Sequence, residues 1–195
     1  MKSSLVLRCD GLSFRSFDVP PFELNEGDFV QIQCAESSEM KDFELLRATL
    51  SGRIRASGIE LRREATCVDS FGGVEGKSVV DSVNRKLISA NAEIALRRFR
   101  EFRKGIGVQQ LSSTARMLFA LAVALERCAF LVYSVTLDPL GELAVRDFLR
   151  ECLGGRAVIE INRFKTGVPV PFQFESIIKV VEKRTNNEMN ELVRK

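Results

Sequence analysis

The sequence predicts an α/β fold with a mostly parallel sheet and a β-rich N-terminal lobe. Three observations predict it. Residues 4–34 hold short, aromatic-rich segments with the alternation of strands. "AFLVYSV", residues 129–135, is a continuous apolar run, as expected of a strand covered on both faces. Helical patterns flank that run, and a second apolar run, "RAVIEI" at 156–161, follows, in the strand–helix–strand order of a parallel sheet.

The elements follow in chain order. "SLVLRC" (4–9) and "SFRSFDVPPFEL" (13–24) read as strands, "NEGD" (25–28) as a turn and "FVQIQC" (29–34) as a strongly β-type run. In "FELLRATLSG" (43–52), Phe43, Leu46 and Leu50 fall at helical spacing and Gly52 ends the helix. "RIRASGIELRR" reads as two short strands around a Ser57-Gly58 turn, and "ATCVDSF" (65–71) as a strand. From Lys77 to Lys104 the mostly one-sided apolar stripe Val79, Val83, Leu87, Ile94, Leu96, Phe99 and Phe102 is helical. "SSTARMLFALAVALERC" predicts another helix, with Ser112 or Ser113 as its N-cap. A turn at Pro139–Gly141 precedes a helix through "ELAVRDFLREC", and "ESIIKVVEK" (175–183) reads as a final strand. There is no internal repeat or linker, so residues 1–195 form one domain.

Composition excludes several chemistries. No histidine is present, which removes Ser-His and Cys-His catalysis and histidine metal sites. The five cysteines are widely spaced without a C-x-x-C pair, and indicate neither zinc nor disulfides but buried free thiols. With 29 basic and 26 acidic residues the net charge of +3 demands no polyanionic partner. "MLFALAVAL" (117–125) is far shorter than the roughly 20 residues of a spanning helix, and "MKSSLVLRCDG" is no signal peptide. A cytoplasmic protein is expected.

The order of these segments resembles the ATP-binding domain of ABC transporters over almost the whole chain. "LSFRSF…VPPFELNEGDFVQIQ" is similar to the family's opening, and "LLRATLSGRIRASGIEL" to the helix and turn after its P-loop. "LSSTARMLFALAVAL" (111–125) lines up without a gap on the signature helix "LSGGQRQRVALARAL" at Leu111, Ser112, Arg116, Ala120, Leu121, Ala122, Ala124 and Leu125. "AFLVYSVTLDPLG" resembles the Walker B strand and the D-loop, and "VRDFLRECLGGRAVIEI" the following helix and the strand that leads to the switch histidine. The resemblance implies a P-loop NTPase core, a shortened helical subdomain at about 72–112, and work beside a permease or a second ATPase subunit. It also brings four candidate nucleotide-binding residues: Lys41, Phe14 (or Phe17) against adenine, and Ser112 and Ser113 toward a phosphate held by a partner subunit.

The departures fall on the chemistry. A P-loop needs glycines whose backbone N–H groups close on phosphates, and a Lys that neutralises them. The corresponding place, "CAESSEMKDF", has no glycine. Lys41 stands near the lysine position, Asp42 takes the Ser/Thr place, and Glu36 and Glu39 lie in the loop. One carboxylate about 4 Å from a phosphate charge costs about 4 kcal/mol at an effective dielectric of 20, as much as the whole binding energy of a millimolar ligand, about 4 kcal/mol. The Walker B acids become Ser134, Val135 or Thr136, the Q-loop glutamine Asp69 or Ser70, and the switch histidine Asn162 or Arg163. The signature glycines are Ser113 and Thr114. "FGGVEGKS" (71–78) reads as a glycine-rich loop into the helical region, since the glycine required five places before Gly76 is Phe71. The alternative, a displaced P-loop, needs an acidic residue at the end of a neighbouring strand, which "AFLVYSV" does not supply.

These losses imply a pseudo-ATPase, a structural or regulatory subunit at the inner face of the membrane, with no catalytic or metal-binding residue and no cofactor expected beyond weak ATP/Mg. Two alternatives carry different chemistry. One is a weakly ATP-binding subunit that completes a composite site with a partner. The other is a basic adaptor that binds nucleic acid or lipid headgroups through Arg97, Arg98, Arg100, Arg103 and Lys104.

Overall fold

A computed structural model describes residues 4–35, 37–68, 97, 110–126, 128–134, 137–164 and 176–183. The centre is a five-stranded, all-parallel sheet in the order β10-β5-β9-β8-β7. Its strands are β5 (Phe29–Ala35), β7 (Ala65–Val68), β8 (Phe130–Ser134), β9 (Ala157–Phe164) and β10 (Ser176–Lys179). β1 (Leu5–Cys9), β4 (Phe22–Asn25) and β6 (Ile59–Leu61) form an antiparallel sheet in the order β4-β1-β6. β2 (Leu12–Ser13), β3 (Phe17–Val19) and β11 (Val181–Glu182) form a third, in the order β11-β3-β2. This is the α/β architecture with a β-rich front lobe that the sequence predicts.

Alternation along the central strands sorts side chains into two cores. Phe130 and Val132 face the side of α1 (Met40–Leu50), with Phe43, Leu46 and Leu50 of that helix and the apolar residues of the lobe. Leu131 and Tyr133 face the side of α2 (Ser113–Leu125) and α3 (Pro139–Cys152). All five residues of β8 are buried, as its unbroken apolar run requires. α2 and α3 meet closely at Gly141: a Cβ there would lie 2.6 Å from Thr114 Oγ1 and 3.1 Å from Leu137 Cβ.

Several expectations are corrected. The segment 13–24 is divided among three short strands, because a bend at Arg15 and Ser16 and the pair Pro20-Pro21 interrupt its pairing. Only the second arm of "RIRASGIELRR" is a strand, β6, which pairs with β1 rather than with residues 53–56. Pro139–Gly141 opens α3 instead of forming a turn: Asp138 is the N-cap and Pro139 supplies a φ suited to the first helical position. "ESIIKVVEK" divides at Val180, β10 pairing parallel with β5 and β11 antiparallel with β3. None of the five cysteines is in a disulfide; Cys9, Cys34 and Cys128 are buried and Cys67 and Cys152 half-buried. The helix expected over 77–104, and with it most of the basic run and the helical subdomain, lies outside the described residues.

Candidate functional site

In open parallel sheets, ligands bind beyond the carboxyl ends of the strands, where connections leave to opposite faces. Here β5 ends at Ala35 and α1 begins at Met40, so the loop between them occupies that position. The helix N-cap, Glu39, makes no side-chain capping hydrogen bond.

The loop is instead held from outside by the protein itself. Asp42, in the first turn of α1, is 8% exposed and points its carboxylate into the lobe. Its Oδ2 accepts from the Ser16 backbone N–H and from Ser16 Oγ, both at 2.7 Å. Ser16 Oγ in turn accepts from the Glu39 N–H at 3.2 Å. From β9, the Arg163 guanidinium donates to the Ser38 carbonyl at 2.8 Å. Ser37 Oγ donates to Glu182 of β11 at 3.1 Å. Each neutral bond contributes about 1 kcal/mol net and those to charged groups about 1.5–3 kcal/mol. Ser38 Oγ, in the same loop, is buried with no hydrogen-bond partner among the described residues.

The candidate residues are scattered relative to this loop. Lys41 is exposed on α1 beside the buried Asp42. Phe14 is buried at 8% exposure and packs on Phe17 with centroids 5.0 Å apart, so it stands in a cavity wall as part of the lobe's core. Ser112, not Ser113, caps α2, accepting from the Ala115 N–H at 3.3 Å; Ser113 is the first, exposed, helical residue. Ser112 and Ser113 line neither cavity found at the lobe and α1. Of the Walker B and Q-loop positions only Ser134 is described; it is buried and Arg47 of α1 lies 3.4 Å from its hydroxyl.

Sequence reasoning misses the largest polar feature, which lies within the same sheet. Glu160, at the middle of β9, is fully buried. Arg146 of α3 binds it with two donors, Nε at 3.0 Å to Oε2 and a terminal nitrogen at 2.7 Å to Oε1. Tyr133 donates its hydroxyl to Oε2, and Gln31 (2.7 Å) and Asn162 (3.3 Å) donate to Oε1. Gln33 extends the chain by donating to Gln31 Oε1 at 2.9 Å, and Glu142 accepts from Arg146 at 3.1 Å. The network ties three adjacent strands to α3. Its only sequence signal is polar residues at alternate places in β strands that are otherwise apolar: Gln31 and Gln33, Glu160 and Asn162.

Burial, and then the Glu160 carboxylate, push the Tyr133 phenol well above its ordinary value near 10. A raised folded-state value means that the neutral phenol's contribution is complete below the unfolded value and is lost as pH rises through 10 and beyond. Tyr133→Phe removes a hydrogen bond to a charged group and is therefore expected to cost about 1.5–3 kcal/mol at neutral pH. Its deficit against the natural chain should narrow above pH 10, read from urea unfolding at successive pH values. A constant gap would contradict this.

No family model matches the chain, and no curated protein matches it in sequence. Solved structures do match in fold. A metal-chelate-type ABC transporter in an inward-facing conformation superposes with a TM-score of 0.63 at 17% identity, covering 98% of this chain and 89% of that one. CbiO1 from Clostridium perfringens, part of the ABC transporter complex cbiONQ, gives 0.59 at 15% identity over 98% and 94%. An ABC transporter ATP-binding protein from Pyrococcus furiosus gives 0.67 at 14% identity over 90% and 97%. The chain thus has the fold of the ABC transporter ATP-binding domain, a P-loop NTPase fold, and the resemblance read from its segment order is a resemblance of structure.

Proposed function

We propose that this chain is an ABC-type subunit that does not turn over ATP and that braces or transmits a conformational change within a complex. The observation that carries the reading is the latched loop after β5. It has no glycine; Ser16 Oγ takes the Glu39 N–H, a group of the kind a phosphate-binding loop leaves for its ligand, while Arg163 and Glu182 tie the loop down through the Ser38 carbonyl and the Ser37 hydroxyl. Asp42 adds a buried carboxylate at the start of α1, where a helix N-terminus would otherwise favour an anion. Lys41, Ser112 and Ser113 then serve as surface and cap residues rather than as nucleotide ligands. The partner is a second ATPase-type subunit or a membrane permease, and the subunit sits at the inner face of the membrane. No helix among the described residues is long and apolar enough to cross it.

The test is thermal unfolding with ATP, with and without magnesium. A ligand at 100 times its dissociation constant stabilises by about 2.7 kcal/mol, so real binding would be visible. No shift is expected at millimolar ATP. A magnesium-dependent rise in the midpoint, or ATP turnover by the purified chain, would overturn the reading.

A further inference from the structure

We propose that the cavity between α1 and the N-terminal lobe binds a small organic cation, a protonated amine on an apolar body. The cavity measures about 560 Å³, and Leu12, Phe14, Arg15, Asp42, Leu45 and Ile54 are among its lining residues. Sites for small molecules commonly span roughly 300–1,000 Å³ and combine apolar walls with a few polar groups.

The apolar wall is unusually open. Leu45 is 41% exposed and Ile54 43%, and both line the cavity. A ligand body laid against them would remove that surface from water. Phe14 and Leu12 form the wall on the lobe side.

The polar group sets the sign of the charge. Asp42 lines the cavity while 8% exposed, and its Oδ2 is committed to Ser16. Its other oxygen, Oδ1, accepts no hydrogen bond among the described residues. That oxygen is reached by solvent rather than sealed off, so an ammonium N–H can approach it from the cavity and form a charge-assisted hydrogen bond. Arg15 is the one cation among the lining residues; its side chain is 83% exposed and lies 3.6 Å from Glu39. The same carboxylate repels anions, so this preference is opposite to that of a nucleotide site. The proposal does not rest on the loop being unable to bind ATP, and the ATP measurement and this one can fail separately.

The experiment is isothermal titration of the full chain with phenethylamine, and with phenylacetate, which has the same ring and the opposite charge. Saturable one-to-one binding of phenethylamine is expected, with phenylacetate at least about tenfold weaker, the loss of one charged hydrogen bond. Asp42→Asn should weaken phenethylamine by about the same factor. Because Asp42 also holds Ser16, Leu45→Gln provides a second variant that leaves that latch intact; it should weaken phenethylamine several-fold without lowering the unfolding midpoint. Absence of saturable binding to the natural chain at millimolar phenethylamine would overturn the proposal. So would equal affinity for phenylacetate, or an affinity unchanged in both variants.

Discussion

Arg146→Ala is expected to destabilise the fold by about 3–5 kcal/mol, because it strands a buried charge. Glu160 is fully buried and Arg146 is 1% exposed, so the ion pair itself is out of contact with solvent. Two of the donors on the carboxylate would vanish together, leaving Tyr133, Gln31 and Asn162 to hold an anion alone. The double variant Arg146→Met with Glu160→Gln should be less destabilised than Arg146→Ala, since it removes both charges and keeps a carbonyl acceptor for the remaining donors. Urea unfolding of the single and double variants checks this. A cost below about 1 kcal/mol for Arg146→Ala would mean that the pair is not desolvated as described.

Phe130→Ala should cost about 3–5 kcal/mol, in the range for emptying a large aromatic site in a packed core. Phe130 is fully buried and belongs to the cluster that joins the sheet to α1 and the lobe. It lies in β8, bonded on both edges between β7 and β9, so neighbouring backbone cannot close the void without breaking strand pairing. Leu140→Ala is the matched contrast. Leu140 is 77% exposed at the start of α3, and its truncation should fall within about 0.5 kcal/mol of the natural chain. Equal effects at the two positions, measured by urea unfolding with an unchanged slope, would contradict the packing described here.

Most elements are legible in the residues. "FVQIQC" can be read as a strand from its β-type residues and "AFLVYSV" from an apolar run that matches a strand covered on both faces, and β5 and β8 occupy those places. Ser112 is one of two candidate caps for α2, and only geometry selects it: its Oγ meets the Ala115 N–H. Misreadings arise where partners decide the outcome. Pro139-Leu140-Gly141 has the composition of a turn, yet Asp138 Oδ1 accepts from the N–H groups of Leu140 and Gly141 and starts a helix there. Residues 176–182 form a single β-type run in sequence, but two sheets compete for it and each takes part. Asp42 can be read as an obstacle to phosphate from its type alone; that it is also the lobe's latch on α1 requires Ser16, 26 residues away.

The sequence by itself determined the α/β class, the order of the elements, and the absence of glycine from the loop after β5, because periodicity and backbone freedom are local properties of neighbouring residues. Only the tertiary structure decided that Arg146, Tyr133 and Gln31 converge on Glu160 and that Ser16 and Arg163 hold the loop. Those pairings join residues up to 129 positions apart, and the driving force that selects them, the cost of leaving a buried polar group without a partner, acts only once the strands and helices have excluded water.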